Sequence, residues 1–356
     1  MTQEFRKQMP RAQAQAEMNG WTELTATIPL PALIGRIEGS DGDVVVYEDI
    51  FASGRCRLLL ADLIAQADRN PALIPHLVRL IDGICQDLCI AVARTGGVRP
   101  LCDCVPGLYA DRIRRGRRID TWYLASDPVV YMGKQCMLTV RDLADYELTV
   151  GDRTYHVDIE RIISGLREEL SAGSLWLTAI TQGDPTEPNI AWPRCWLDLQ
   201  HAGRNTLAGE IANLIWYLLA LGGWQVPRAQ PNVYARTTRL ALPPIAVPTT
   251  THVHVDDKER HIHAEYTWNT GPGRRAAISR VIQWVLGALG AAARLRPGAE
   301  LMQLRGFLAL RILGVIPPAL LTPAEILLTV IKLAESQHPA TSLRRFAHTP
   351  PPPAPL

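Results

Sequence analysis

The sequence predicts an α+β fold, with a small antiparallel sheet near the N-terminus and a large, mainly helical region after it. Residues 44–50 form a β-branched run after the turn-forming segment 40–43, which predicts a buried strand. Apolar residues recur at helical spacing on both sides of Asn70-Pro71, which predicts two core helices within residues 57–94. Further apolar helices are predicted in four segments: 207–221, 275–295, 298–313 and 323–335.

The first forty residues are predicted to form a helix and then an extended segment. Residues 2–19 have helical composition, and Pro10 would break such a helix, so its reliable start is near Arg11. This assignment places Lys7 in the helical region and not on a strand. Residues 27–37 are predicted to be extended and to lead into the turn before the buried strand.

Composition and charge exclude several classes of protein. The 356 residues contain 37 Lys and Arg against 35 Asp and Glu, and a net charge of +2 favours no nucleic-acid partner. No apolar run reaches the ~20 residues of a membrane-spanning helix, so no membrane partner is expected. The seven Cys are odd in number and scattered, and the first residues lack the apolar run of a signal peptide. These features predict free thiols in a reducing cytoplasm.

An ordered set of polar residues points to chemistry. Asp184 is followed by four residues and then Asn189, and nine residues later Asp198 ends a short apolar run. Phosphoryl transfer from ATP needs one Asp that accepts the proton of the attacking hydroxyl, together with an Asn and a second Asp that hold Mg²⁺. The spacing therefore suggests a phosphotransfer site.

The segment around this set is predicted to be rigid. Pro185 and Pro188 stiffen the loop between Asp184 and Asn189. Two short strands are predicted after it, with Pro193-Arg194 turning between them. Such a hairpin would return the second Asp of the set towards the Asn.

The pattern resembles the catalytic segment of the aminoglycoside phosphotransferase and choline kinase superfamily. Members of that family usually show His-Gly-Asp, four residues, Asn, then an apolar strand and Asp. Gln182-Gly183-Asp184 takes the first place here, and Gln182 would support the loop by hydrogen bonds, as the family His does. The likeness continues through Ala202-Gly203 to Glu210-Ile211-Ala212-Asn213, where family members carry an acidic residue followed by Leu-Ala.

The resemblance implies a protein-kinase-like fold that binds ATP and Mg²⁺ and phosphorylates a hydroxyl of a small molecule. It makes Asp184 the general base and Asn189 and Asp198 the Mg²⁺ ligands. Aminoglycoside-like compounds, amino alcohols and other natural products are the expected acceptors. The corresponding division is a partial N-terminal lobe with hinge at 1–52, a helical C-terminal lobe at 53–345 and a disordered Pro-rich tail at 346–356.

The N-terminal lobe implied by the resemblance is shortened. Glu48, Asp49 and Ile50 occupy the hinge that receives adenine in the family, and Glu17 is the candidate helix Glu that pairs with a Lys. A Gly-rich strand pair and a Lys-bearing strand should precede this helix. The sequence contains neither by the assignment above, which suggests a shortened kinase-like protein or a start further upstream.

Two alternative functions remain open. One is a catalytically impaired kinase-like binding or regulatory protein, which the missing strands favour. The other is a metal-binding protein built on an alternating hairpin that carries His252, His254, His261 and His263. A solvated sheet face explains the same alternation.

Two further motifs are weaker. Cys102-Asp103-Cys104 contains two thiols without a second pair, which is little for a metal site. A basic run is predicted to be a solvated helix face, with an anion-handling patch near phosphate as the alternative; its members are Arg112, Arg114, Arg115, Arg117 and Arg118.

Overall fold

The chain folds as a mixed α+β protein with many helices and several small sheets. The computed structural model describes residues 3–133, 136–219, 221–231, 247–268, 270–340 and 342–343. The helices are α1 Arg11–Leu24, α2 Leu60–Arg69, α3 Ile74–Thr95, α4 Ala110–Ile113, α5 Ile159–Glu169, α6 Leu207–Leu219, α7 Gly222–Ala229, α8 Pro272–Val285, α9 Ala288–Ala292, α10 Arg305–Gly314 and α11 Pro323–Gln337.

The strands are short and mostly antiparallel. They are β1 Glu4–Met9, β2 Leu33–Ile37, β3 Asp43–Glu48, β4 Leu58–Leu59, β5 Gly97–Pro100, β6 Val129–Tyr131, β7 Met137–Thr139, β8 Glu147–Val150, β9 Arg153–His156, β10 Leu175–Thr181, β11 Ile190–Trp192, β12 Cys195–Trp196, β13 Gly203–Thr206, β14 Thr249–Asp256 and β15 His261–Thr267. Their sheets have the orders β1-β3-β2, β13-β10-β5, β12-β11-β4, β14-β15-β8-β9 and β6-β7. The pair β15–β8 is parallel.

The N-terminal sheet corrects the prediction for the first residues. The helix begins at Arg11 as predicted, with Pro10 at its N-cap. Proline lacks an amide hydrogen and its ring clashes with a preceding helical turn, so the helix does not extend back through residues 4–9. The residues before Pro10 form strand β1 instead of a helix, and Lys7 stands opposite Val45 of β3. The β-branched residues of β3 supply a ladder to which β1 can pair, so tertiary pairing outweighs the weak local preference of residues 4–9.

Helix α1 packs against both the sheet and the segment that follows β12. Glycine is needed at position 20, because a Cβ there would lie 2.5 Å from the Leu199 carbonyl oxygen. This close approach brings α1 against the residues that follow Asp198. The helix thereby links the N-terminal sheet to the predicted catalytic segment.

The two helices after the hinge follow the sequence prediction. α2 and α3 are separated at Asn70-Pro71, where the Asn70 side chain accepts a hydrogen bond from the Ala72 amide. Their buried faces carry the leucines and isoleucines that the periodicity selected. Strands β8 and β9 form a hairpin around Gly151-Asp152.

Helix α6 is the centre of the helical region. All of its residues are buried, including the polar Glu210 and Asn213. A helix that is apolar on every side belongs in a core, so its two polar residues need a local reason. They face the catalytic loop described below.

Several boundaries in the C-terminal part differ from the prediction. The predicted helix 207–221 is present as α6, and a second helix, α7, begins at Gly222. Residues 232–246 and the predicted tail 346–356 lie outside the described residues. Among the described helices no single one is long and apolar enough to cross a membrane, although α6 and α7 together meet those criteria by length and composition.

Candidate functional site

The loop between β10 and β11 carries the predicted general base. Gly183, just before Asp184, has φ +89°, and a Cβ there would lie 2.1 Å from the His201 carbonyl oxygen. Only glycine fits such a positive φ at such close approach. The chain therefore turns sharply at Gly183 and presents the Asp184 side chain, which keeps 26% of its exposure.

Three side chains orient the Asp184 carboxylate. Asn189 Nδ2 donates to Oδ2 at 3.1 Å, and Asn213 Nδ2 on α6 donates to Oδ1 at 2.8 Å. Arg311 Nη1 on α10 lies 3.4 Å from the same Oδ1. Each carboxylate oxygen has two acceptor positions, so these contacts leave capacity for a hydroxyl proton. The Asp184 carboxylate is thus held in one orientation and remains partly exposed, as a general base would have to be.

Gln182 joins the loop to the segment that carries Asp198. Its Nε2 donates to the Leu197 carbonyl at 2.9 Å and to the Asp198 carbonyl at 2.7 Å. Its Oε1 accepts from the Asp184 amide at 2.7 Å. The position predicted to support the loop therefore contacts both predicted acidic residues, and the amide supplies the donor and the acceptor that these contacts need.

The predicted hairpin brings Asp198 back beside Asn189. Strands β11 and β12 pair as expected, and the Leu197 amide donates to the Asn189 carbonyl at 2.8 Å. Asp198 has φ +55°, an unusual conformation for a residue other than glycine. Asp tolerates this left-handed conformation better than most residues, so the chain can turn here after β12.

The structure places Lys7 at the centre of an acidic pair. Lys7 Nζ lies 2.6 Å from Asp198 Oδ1 and 3.0 Å from Glu17 Oε2. Tyr47 on β3 donates to the other Glu17 oxygen at 3.2 Å. Glu17, the candidate helix Glu that pairs with a Lys, therefore contacts Lys7. Lys7 had been assigned to a helix by the sequence pattern, so it was not recognised as this lysine. We call Lys7, Glu17 and Asp198 the Lys7 cluster.

Burial perturbs the groups of the Lys7 cluster in opposite directions. Burial alone lowers the pKa of Lys7, but the carboxylates of Asp198 and Glu17 outweigh it, so the pKa is raised above its ordinary value. Burial raises the pKa of Glu17, and Lys7 opposes that shift. Lys7 therefore keeps its positive charge.

A buried ion pair holds the middle of the loop between Asp184 and Asn189. Arg274 on α8 binds Glu187 with both guanidinium nitrogens, at 2.5 Å and 2.9 Å. The Arg274 amide donates to Asp68 of α2, and its Nη1 also donates to the Leu218 carbonyl of α6. These contacts tie the loop to three helices, so the aim of its functional side chains is set by the helical core.

The predicted hinge residues lie between β3 and α2, directly against the catalytic hairpin. The Glu48 carboxylate is bound by Ser53 and Arg55, and Asp49 caps the following turn through two backbone amides. Ile50 is buried in an apolar cluster with Cys56, Leu59, Ala191 and Cys195. The side chains of this segment thus serve its own folding. Its backbone is also bonded within the protein: the Glu48 and Asp49 amides donate to neighbouring carbonyls, and the Asp49 and Ile50 carbonyls accept from the turn that follows.

The oxygen ligands present suit a hard cation that arrives with phosphate. Asn189 uses its amide nitrogen on Asp184, which leaves its Oδ1 as a ligand, and Asp198 contributes a carboxylate. Mg²⁺ is commonly held by one or two such protein oxygens together with substrate phosphates. Within the described ranges no group of three or more His, Cys, Asp or Glu could hold a metal by itself.

The alternative metal motifs do not form clusters. On the His hairpin, His254 stands opposite His263 and the His252 and His263 rings are 6.1 Å apart, but His261 bonds Thr149. Cys102 is exposed while Cys104 is buried, and the Cys residues are free thiols. The convergence that a metal requires is missing for both motifs in the part of the chain that is described.

The structure adds residues that sequence reasoning missed. Arg311 and Arg274 contact the loop from helices distant in sequence, and their spacing carries no recognisable signal. Asn213 was included in the resemblance but was given no role. Lys7 could have been found, because Pro10 stands just before the helix start and so separates the residues before it from α1.

In comparisons with known proteins, no protein-family model matches the chain, and no curated protein matches it significantly.

Proposed function

We propose that this protein is an ATP- and Mg²⁺-dependent phosphotransferase with a protein-kinase-like arrangement, and that it phosphorylates a hydroxyl of a small molecule. The observation that carries the proposal is the Lys7 cluster. In protein kinases a strand lysine pairs with a helix glutamate, and an Asp after the catalytic loop holds Mg²⁺. Lys7 on β1, Glu17 on α1 and Asp198 after β12 reproduce these relations across 191 residues of sequence.

The catalytic loop supplies the remaining groups. Asp184 would accept the proton of the attacking hydroxyl, and Asn189 and Asp198 would hold the metal. The bound nucleotide would supply the phosphoryl group, and the metal would neutralise its developing charge. Lys7, held by Glu17, would donate to phosphate oxygens. By the family resemblance, the adenine base would lie beside Glu48, Asp49 and Ile50.

The chain's own residues explain how these groups are held for reaction. Gln182 bonds both to the segment of the general base and to that of the metal ligand, so the two move as one unit. The Arg274–Glu187 pair fixes the loop between them. Such preorganised positioning accounts for most of the catalysis in phosphoryl transfer, since little covalent chemistry falls to the protein.

Calorimetric titration with ATP and Mg²⁺ tests the proposal. Lys7→Met should weaken Mg-ATP binding by about 10- to 100-fold, the range for losing a hydrogen bond from a charged group. Arg6→Met is the matched control, because Arg6 is a neighbouring cation on β1 whose side chain is 63% exposed. Equal Mg-ATP affinity in wild type and Lys7→Met would remove the basis of the proposal.

A second candidate is a kinase-like protein that binds nucleotide without turnover. In protein kinases a Gly-rich strand pair covers the phosphates. In the sheet β1-β3-β2, β1 lies at an edge and no such pair stands beside it among the described residues, which favours this candidate. Nucleotide binding without ADP formation, across a wide set of hydroxyl compounds, would favour this candidate.

A further inference from the structure

Arg112 carries a buried guanidinium group with an unsatisfied donor. This first member of the basic run lies on α4 and is 6% exposed, contrary to the prediction of a solvated helix face. Its Nε donates to the Gly107 carbonyl at 3.2 Å, but its buried Nη1 has no hydrogen-bond partner among the described residues. Arginine keeps its charge in proteins, so a buried donor without an acceptor is costly and indicates a missing acceptor.

A second buried arginine lies beside it at the catalytic loop. Arg311 is 3% exposed and bonds Asp184 and the Gly183 carbonyl. The aliphatic part of the Arg112 side chain packs against α10 about one turn beyond Arg311. A Cβ on Gly314 there would lie 3.1 Å from Arg112 Cδ. We call Arg112 and Arg311 the arginine pair.

The carboxyl groups near the arginine pair do not balance its charge at neutral pH. Asp184 contributes one negative charge. Burial raises the pKa of Glu210 to about 8 despite the neighbouring Arg311, so this carboxyl is mostly protonated at pH 7. Burial and repulsion from Arg311 and Arg118 lower the pKa of Arg112 well below its ordinary value. Glu210 therefore offers the arginine pair little negative charge at pH 7, and Asp184 is the carboxylate that contacts Arg311.

We propose that the arginine pair binds an oxyanion group of the acceptor, so that the hydroxyl compound phosphorylated at Asp184 carries a phosphate or a carboxylate. The inference rests on the proposed function, because it takes Asp184 to mark the position of the acceptor hydroxyl. Guanidinium groups bind both oxyanions through paired N–H donors. The 3.4 Å contact between Arg311 and Asp184 is long, so an arriving oxyanion can compete for that donor.

The same charges act against cationic acceptors. Two buried guanidinium groups beside the general base repel an ammonium group, which aminoglycoside-like compounds and amino alcohols both carry. The acceptor class is thereby narrowed to sugar phosphates, hydroxy acids and compounds of similar charge. The basic run thus contributes one residue to an anion site, and its exposed members remain solvated.

Inorganic phosphate is the probe for the subsite, because it isolates the oxyanion from the rest of an acceptor. The midpoint of thermal unfolding is measured while phosphate replaces chloride at constant ionic strength. Bound phosphate should raise the midpoint of the wild-type protein. In Arg112→Met the apparent phosphate affinity should fall about tenfold or more, since a charge-assisted contact is lost.

Matched variants separate this subsite from other cationic sites. Arg115→Met removes an exposed arginine of the same run and should respond to phosphate as wild type does. Lys7→Met removes phosphate binding at the nucleotide site and should keep the part of the response that depends on Arg112. A response equal in wild type and Arg112→Met, or one lost only in Lys7→Met, would overturn the inference. If Arg112→Met does not fold, Arg112→Lys replaces it and should show an intermediate affinity.

The experiments distinguish failure of the oxyanion subsite from failure of the proposed function. If phosphate does not raise the unfolding midpoint of the wild-type protein while Mg-ATP still binds, the oxyanion subsite is contradicted and the phosphotransferase proposal is not. A phosphate response that needs Arg112, without any Mg-ATP binding, supports the subsite and contradicts the phosphotransferase proposal.

A charge series on one scaffold then tests the acceptor class. Binding of glycerol, glycerate, glycerol 3-phosphate and 3-aminopropane-1,2-diol is measured in the presence of Mg²⁺ and a non-hydrolysable ATP analogue. At least one of the two anions should bind about tenfold more tightly than glycerol, and the preferred anion tells carboxylate from phosphate. Equal or tighter binding of the amine would overturn the assignment.

Discussion

Two ion-pair systems hold the catalytic segment, and they differ in burial. The Arg274–Glu187 pair is almost completely buried, with 6% and 1% of the side chains exposed. In the Lys7 cluster, Lys7 and Asp198 keep 27% and 32% of their exposure, whereas Glu17 keeps 2%. The first pair joins the loop to the helical core, whereas the second joins the loop to the small N-terminal sheet.

The difference in burial separates a structural role from a ligand-binding role. A buried pair cannot exchange its partners, because each charge would be left without a counter-ion in a medium of low dielectric constant. A half-exposed pair is worth little to stability and can exchange one partner for an incoming charged group. The Arg274–Glu187 pair should therefore govern folding, and the Lys7 cluster should govern ligand binding.

The largest effect is expected on turnover at the loop that both systems hold. Asp184→Ala should lower phosphorylation of the acceptor by about 10²- to 10⁴-fold, because it removes the general base. Nucleotide affinity should stay nearly unchanged, since Asp184 is not assigned to the metal or the phosphates. Steady-state kinetics and calorimetry on the same protein check both statements. Undiminished turnover would show that Asp184 is not the base.

The buried pair predicts a large loss of stability. Glu187→Ala should lower the free energy of unfolding by about 3–5 kcal/mol, because Arg274 would be left buried and uncompensated. Arg274→Met combined with Glu187→Leu should recover much of that loss, since an apolar pair needs no counter-charge. Urea unfolding of the single and double variants measures both. A loss below 1 kcal/mol in Glu187→Ala would mean that the loop is held elsewhere.

The sequence identified the parts of the site that lie close together along the chain. Asp184, Asn189 and Asp198 fall within one short segment, and its prolines and apolar strands predict the loop and the hairpin that the structure contains. Helices α2, α3 and α5 were predictable for a similar reason, because their periodicity is local.

Groups that reach the site from distant segments were not predictable in the same way. Arg311 and Arg274 come from C-terminal helices, and each looks in sequence like a polar interruption of an apolar helix. Lys7 was assigned to a helix because residues 4–9 lack a strong strand pattern, and their strand exists through pairing with β3. The prediction that a Lys-bearing strand is missing was therefore wrong, since β1 carries Lys7.

A pH effect on stability is expected from Glu210, which is buried against the same loop. Its pKa is raised by burial to about 8 from an ordinary value of 4.5, so the folded protein retains a proton that the unfolded chain releases. Stability should therefore fall as the pH rises from about 4.5 to about 8, by on the order of a few kcal/mol. Glu210→Gln should flatten this slope, and the exposed Glu168→Gln should not. Parallel slopes in all three proteins would show that Glu210 ionises normally.

The smallest effect on stability is expected at the Lys7 cluster itself. Lys7→Met should lower the free energy of unfolding by about 1–3 kcal/mol, because buried Glu17 loses its counter-ion but keeps its hydrogen bond from Tyr47, while Lys7 and Asp198 are partly exposed. Urea unfolding beside the Arg6→Met control measures it. A loss as large as that of Glu187→Ala would erase the distinction between the two systems.

The most direct test of the account is the metal dependence of nucleotide binding in Asp198→Ala. Calorimetric titration with ATP is carried out with Mg²⁺ and with a chelator, in wild type and in the variant. If Asp198 holds the metal, the variant should lose much more affinity for Mg-ATP than for metal-free ATP, because a carboxylate ligand is missing only in the first case. Equal losses under both conditions would contradict the metal site and make Asp198 a structural partner of Lys7.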